Sequence, residues 1–441
     1  MNSTSRAINL KRAGIGNHML DSKKAAAIGI AAAVIAIAVT AGVMAPDPAL
    51  DEIEDVSVPV EEAARLSGEV TIGLILPLTG DLASKGHENW EGSKFGLQQF
   101  NEHLEAIGEP WQLQIVSEDS ATSPVVALEK LTSLKAKGID IVVGPETSSN
   151  IRNLKGYADS NNMLLFSCCS TAPALAVAGD SVYRLVPNDT FQGTAIAKNI
   201  EYDGMEVFVP IWRGDAWGDG LREATVKSFE ERGYATAEGV RYNPEAPELS
   251  ASVSLLATQV EELAEKYDKD KIAIGVFGFG ETINIVQTAS QHDILDEVRW
   301  YGGDSNVKEA GFIEDPIASE FVNKVTFTAA QFSISENEIT KKIDAHVLDA
   351  LGREGYAYIN TSYDVVWLLG LSILEIQNTD VDKIKEVLPE VAGRYSGALD
   401  SVQLNEAGDL NGADYGIWSI VDNAWVLTGV YDFETDSILV S

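Results

Sequence analysis

Cysteine is nearly missing from this chain: among 441 residues only Cys168 and Cys169 occur, side by side. Adjacent cysteines cannot staple distant parts of a chain, so a disulfide framework is excluded. The pair reads as two small residues ending a strand, with a vicinal disulfide as the geometrically demanding alternative. Histidine is also scarce. His18, His87, His103, His292 and His346 are scattered without metal-ligand spacing, so no metal site is expected. The nucleotide, metalloprotease and hydrolase signatures GxxxxGK[ST], HExxH and GxSxG do not occur. Gly278-Phe279-Gly280 imitates the start of a dinucleotide fingerprint, but Ile283 stands where the third glycine belongs. No catalytic residue and no cofactor is therefore expected, and the reading is of a protein that is not an enzyme. Basic residues are in deficit as well, 32 against 67 acidic ones, for a formal charge of −35. Such a surface repels phosphate backbones, which argues against nucleic acid as a partner. It suits a protein working in high salt, where screening relieves self-repulsion.

One long uncharged run stands near the start, from Ala25 to Ala45. About 20 apolar residues suffice to cross a bilayer as a helix. Arg6, Lys11, Arg12, Lys23 and Lys24 precede it against the single acid Asp21, which keeps residues 1–24 cytoplasmic and exports the chain beyond Ala45. The run reads as a transmembrane signal anchor at residues 25–45, placing the protein on the cell membrane with its bulk outside. A cleaved, secreted form through Val43-Met44-Ala45 is the alternative. Residues 46–67, acidic and proline-containing, read as an extended tether.

From Gly68 onward, apolar strand runs alternate with helical patterns. This order calls for parallel sheets covered on both faces. The alternation restarts at Glu206, which gives two similar α/β lobes. A third portion, from Thr326 to Ser441, reads as a strand, two helices and a β-rich end. Three strand endings stop in small and hydroxyl-bearing residues: VTIGLILPLTG at 70–80, GPETSS at 144–149 and SCCSTAP at 167–173. In open parallel sheets ligands collect beyond the carboxyl ends of the strands. Endings of this kind grip a small molecule with backbone N–H groups and hydroxyls. Ser148 and Ser149 fall at a predicted helix start, where unpaired N–H groups suit a carboxylate, or where they simply cap the helix.

Further segments extend the pattern: RLVPNDTFQGTAIA at 184–197, RGDAWGDGL at 213–221, WYGGDS at 300–305, YDVVWLLGLSI at 363–373 and YSGALDSVQLNEAGDLNGADYGIW at 395–418. Together and in order these resemble the type I solute-binding proteins of ABC importers, in the branch of Leu/Ile/Val-, amide- and urea-binding members, from about Glu69 to Trp425. The resemblance implies the type I periplasmic binding protein fold: two doubly wound parallel-sheet lobes joined by a three-strand hinge. Lobe one would comprise 68–189 and 329–396, lobe two 190–328 and 397–441. The ligand would lie in the interlobe cleft and be captured by hinge closure. It would be a small polar nitrogen-containing solute of the amino acid, amide or urea class, handed to an ABC transporter permease. The alternative is an extracellular ligand-sensing domain working with a separate signalling partner.

The resemblance also implies ligand contacts for Ser148, Ser149, Ser170 and Thr171. Trp217 takes the place of an aromatic that covers the ligand from lobe two, and Phe279 that of a second aromatic there. Asp304 stands where an acid pairs with the ligand ammonium; a capping Asp is its bland reading. Lys85 departs from the pattern, standing where leucine-binding members place a large apolar side chain. It reads as turned out to solvent, with a reach toward an acidic or polar ligand as the alternative. Asn188 and Asn360 begin sequons that could carry glycans outside the cell.

Overall fold

The computed structural model describes residues 65–440. The expected cytoplasmic N-terminus, the transmembrane anchor and nearly all of the tether lie outside the described residues. Among the described residues one helix, Tyr358–Ile376, is long and apolar enough to cross a membrane, yet most of its surface is buried inside the protein.

The chain opens with β1 (Gly68–Leu76), α1 (Ala83–Ile107), β2 (Trp111–Asp119), α2 (Pro124–Ala136), β3 (Ile141–Val143), α3 (Ser148–Ser160), β4 (Leu164–Ser167) and β5 (Val182–Arg184). The five strands form one parallel sheet in the order β2-β1-β3-β4-β5. From Ile72 to Leu76, β1 is buried on both faces, as a strand with helices above and below must be.

The second alternation supplies α4 (Asp189–Tyr202), β6 (Val207–Arg213), α5 (Ala216–Glu231), β7 (Ala235–Thr236), β8 (Val240–Tyr242), α6 (Ser250–Ala264), β9 (Ile272–Phe277), α7 (Thr282–Ala289), β10 (Arg299–Gly302), α8 (Gly311–Glu314), α9 (Pro316–Lys324) and β11 (Thr328–Phe332). Three helices come next, not two: α10 (Glu338–Leu351), α11 (Tyr358–Ile376) and α12 (Val381–Arg394). They pack on the first lobe. Gly92 and Gly96 of α1 let α11 come close, since a Cβ at Gly92 would sit 2.4 Å from the Ile359 carbonyl oxygen. The chain ends with β12 (Tyr415–Val421), β13 (Ala424–Asp432) and β14 (Ser437–Val440).

The second sheet runs β14-β13-β12-β11-β10-β9-β6-β7, with β8 also paired to β6. It departs from the expectation of a purely parallel sheet. The pairs from β6 to β11 are parallel, whereas β11–β12, β12–β13 and β13–β14 are antiparallel. β12, β13 and β14 succeed one another through short turns, which only antiparallel neighbours allow, whereas β12 returns to β11 after α10, α11 and α12.

Two expected lobe boundaries need correction. Residues 329–332 belong to β11 and so to the second sheet, not to lobe one. Conversely, the stretch 397–410 lies on the first lobe. Ala398 and Leu399 donate their N–H groups to buried Asp364 of α11 at 2.9 and 2.7 Å. Arg184 N–H donates to the Gly408 carbonyl at 2.9 Å, and Leu410 N–H to the Arg184 carbonyl at 3.1 Å. The crossings between lobes therefore fall just after β5, after β11 and shortly before β12.

Candidate ligand-binding cleft

The carboxyl ends of both sheets face one cleft, as open α/β sheets direct their ligand sites. On the first-lobe side, β3 ends in Gly144 and the chain turns into α3. Thr147 caps that helix, its Oγ1 accepting from Asn150 N–H at 3.2 Å. The cap is thus Thr147, and Ser148 and Ser149 occupy the first helical positions. Their N–H groups belong to the first turn, which lacks intrahelical partners. Ser148 is buried, and its Oγ accepts from Ser170 Oγ at 3.2 Å and from Ala172 N–H at 3.1 Å. The two strand endings are thereby tied to each other. Thr171 is buried beside them with its Oγ1 lacking a protein partner.

The segment after β4 is held from behind by Arg184. Its Nη1 donates to the carbonyls of Ser170 (3.2 Å) and Ala172 (2.8 Å), while Nε donates to Asp409 Oδ1 at 2.6 Å and Nη2 pairs with Oδ2. Cys168 and Cys169, read from sequence as two small residues with a vicinal disulfide as the alternative, form that disulfide here. Thr361 Oγ1 donates to the Cys168 carbonyl at 2.8 Å, and Cys169 faces the cleft.

The second lobe answers with Trp217, Phe279 and Asp304. Asp215 caps α5, accepting from the N–H groups of Trp217 (3.0 Å) and Gly218 (2.9 Å), which fixes the indole at the cleft edge. Trp217 and Phe279 have ring centroids 5.0 Å apart, and the Arg213 guanidinium lies 3.8 Å over the Phe279 ring. Asp304 is not a helix cap. It is buried, accepting from Tyr358 OH of the first lobe at 2.6 Å and from Ser305 N–H at 2.8 Å. Burial pushes its carboxyl above the usual range despite those donors. Nearby Asp189 has both carboxylate oxygens buried and unpartnered; burial, and then the Asp304 charge, raise it well above its ordinary value.

Several hydrogen bonds cross the cleft. Ala216 N–H donates to Ser149 Oγ at 3.2 Å, Gly280 N–H to the Asp81 carbonyl at 3.0 Å, and Lys85 Nζ to the Val307 carbonyl at 2.9 Å. The expectation that Lys85 turns to solvent is wrong: it is 1% exposed. Its ammonium lies 4.5 Å from the centre of the Tyr356 ring and 3.9 Å from Glu88 Oε1. A first-turn lysine buried against a carboxylate, an aromatic face and a carbonyl is compensated three ways, which burial of a charge demands.

The enclosed space amounts to about 30 Å³, room for about a single water molecule with the lobes bonded across the cleft as they are here. That is well below the few hundred Å³ of an ordinary ligand pocket. Of the residues predicted for the site, Lys85, Ser148, Trp217, Phe279 and Asp304 line it. Ser149 sits at its rim as an interlobe bridge, and Ser170 and Thr171 stand behind the wall. Sequence reasoning missed Glu146, Tyr356 and Tyr358, which also line it. Glu146 falls within the GPETSS ending, and a signal is present there: an acid between a strand and a capping threonine faces the ligand edge of the sheet. Tyr356 and Tyr358 lie beyond a lobe crossing, and no local pattern marks them.

Two lobes of this topology, each presenting the carboxyl ends of its strands to a shared cleft, define a binding protein of the type I periplasmic class. The receptor family ligand binding region matches residues 93–423, and the chain belongs to that family. An uncharacterised protein of Methanocaldococcus jannaschii, MJ1266, is 27% identical over 391 residues, covering 84% of this chain and 91% of its own. The Leu/Ile/Val-binding protein BraC3 of Rhizobium johnstonii is 23% identical over 354 residues, covering 79% and 91%. Among solved structures, the leucine-binding protein LivK of Thermotoga maritima superposes with a TM-score of 0.71 at 20% identity, covering 83% of this chain and 99% of its own. That likeness is one of fold; the family match and the Leu/Ile/Val-binding relative bear out the resemblance read from the strand-end motifs.

Proposed function

We propose that this chain is the extracytoplasmic substrate-binding protein of an ABC importer. It captures a small polar nitrogen-containing solute, of the amino acid, amide or urea class, by closure of the two lobes. The observation that carries this reading is the pairing of opposite chemistries across the cleft. One lobe offers the α3 first turn with Ser148, braced from behind by Ser170 and Thr171, a set of hydroxyls and N–H groups suited to a carboxylate or carbonyl. The other offers buried Asp304 beneath the Trp217–Phe279 pair, a counter-charge for an ammonium shielded from water. Ser149, bonded to the N-terminus of α5, bridges the lobes when they close. In this reading the permease receives the ligand, and the N-terminal apolar run holds the receptor at the outer face of the membrane.

A thermal-shift screen of the full chain against amino acids, amides and urea tests this. A ligand at 100 times its dissociation constant stabilises by about 2.7 kcal/mol. Asp304→Ala is expected to weaken ammonium-bearing hits by about tenfold or more. Unweakened binding in that variant overturns the role of Asp304. Cells lacking the chain are expected to lose uptake of the radiolabelled hit; intact uptake overturns the importer assignment and leaves a sensor.

A further inference from the structure

The first-lobe wall of the cleft beside the head-group contacts is polar where a receptor for branched alkyl side chains needs apolar surface. Lys85 makes one hydrogen bond, to the Val307 carbonyl, and leans on Glu88 at 3.9 Å, which leaves one of its three donors for a ligand. Glu146 is 3% exposed; its Oε1 accepts from Tyr356 OH at 3.1 Å, and its Oε2 has no partner. Tyr356 is fixed in turn by Asn89, whose Nδ2 donates to the phenol oxygen, and by Glu88, which accepts from Tyr356 N–H at 3.1 Å. Glu88 also pairs with Arg353, so it serves two cations, Arg353 and Lys85. Burial pushes the Glu146 carboxyl up to about 8, so near neutral pH it is available as a proton donor. With Glu146 protonated, Lys85 and Arg353 face the single charge of Glu88.

We propose that Lys85, Glu146 and Tyr356 form a specificity wall selecting a ligand whose side chain ends in a carbonyl group, a carboxamide or a carboxylate, over one ending in a branched alkyl group. This rests on the amino acid receptor reading above. A carbonyl oxygen accepts from Lys85, and the second atom of the terminal group exchanges a hydrogen bond with Glu146 Oε2. A carboxamide does so as a donor to Glu146. A carboxylate does so by accepting from protonated Glu146, and it also neutralises the surplus cation. An alkyl group leaves both protein groups buried without partners, and sites built to hydrogen-bond a ligand reject analogues that lack the group.

The full chain is titrated calorimetrically with asparagine, glutamine, aspartate, glutamate, leucine, isoleucine and valine. At least one carbonyl-ended ligand is expected to bind about tenfold or more tightly than all three branched ones. Comparison of the two amides with the two acids tells which terminal group the wall takes. Lys85→Met and Glu146→Leu are each expected to lower that preference about tenfold. Glu146→Gln, which keeps shape and a carbonyl oxygen, retains most of it. Because Lys85 also bonds across the cleft, the ratio between ligand types is the readout, since loss of closure weakens all ligands alike. Tighter binding of leucine, isoleucine or valine overturns the proposal and leaves the amino acid reading standing. A preference unchanged in Lys85→Met overturns the assignment of the wall. Absence of binding by all seven removes the amino acid reading, and this inference with it.

Discussion

Arg184→Met is the substitution with the most to teach about how the cleft is held. Arg184 is fully buried, and its partner Asp409 is 1% exposed. Methionine fills similar space but strands the Asp409 carboxylate in the interior. Breaking a buried pair by removing one partner costs about 3–5 kcal/mol. The carbonyls of Ser170 and Ala172 lose their guanidinium donor as well. At about 2 °C per kcal/mol for a large domain, the melting temperature should fall by about 6–10 °C. Replacing both partners, as Arg184→Met with Asp409→Leu, should recover most of that loss, because no charge is then left buried. Thermal melts of the two single variants and the double variant close the cycle. The pH dependence has a definite sign. Burial already raises the Asp409 carboxyl above its ordinary value of 3.8, and removing the arginine raises it further. The folded variant then binds more protons than its unfolded chain, so its deficit shrinks as pH falls toward 4 and grows as pH rises. Ligand affinity should drop too, since the segment carrying Thr171 loses its anchor. A single variant within about 1 kcal/mol of the parent, or a double variant no better than the single, refutes the argument.

The same geometry yields two further outcomes. Burial lifts Glu146 from the usual 4.5 to about 8, so stability should fall as pH climbs through that window, by up to about 1.4 kcal/mol per unit, and level off above it; thermal melts at pH 5, 6.5 and 8 measure the slope, and Glu146→Gln should flatten it. Ser149→Ala removes the hydroxyl that accepts from Ala216 N–H across the cleft; a net loss of about 0.5–1.5 kcal/mol should raise every dissociation constant about two- to tenfold while leaving the ligand-free melting temperature nearly unchanged, and calorimetry beside thermal melts separates the two effects.

The parts of the site that local sequence encodes were legible, and they share a mechanism. A strand run stopping in glycine, hydroxyls and a helix start predicts where backbone N–H groups lie, because that turn is built from neighbours in the chain. Ser148, Trp217 and Asp304 line the cleft for this reason. Lys85 escapes local reading because its burial is not local: Val307 arrives from the second lobe and Tyr356 from beyond the second crossing. The boundary at 397 failed similarly. No pattern in 397–410 announces that Asp364 and Arg184 will take up its backbone. The adjacent cysteines left both redox states open, and only the turn after β4 brings their sulfurs together.

The same division bears on how such a receptor changes its ligand. The head-group side is assembled from strand endings whose hydroxyls also stitch the fold. Ser148 ties α3 to the next strand ending, and Arg184 ties that ending to Asp409. Substitution there costs stability before it alters selectivity. The neighbouring wall is different. Lys85 stands in the first turn of α1, Glu146 in the turn before α3, and Tyr356 in the approach to α11. Each meets the ligand space through a side chain whose removal leaves the sheet intact. A chain can therefore keep the grip that marks its family while changing the cargo in that grip. In the proposed wall, the buried Lys85 and the unpartnered Glu146 oxygen are the places where that freedom would act.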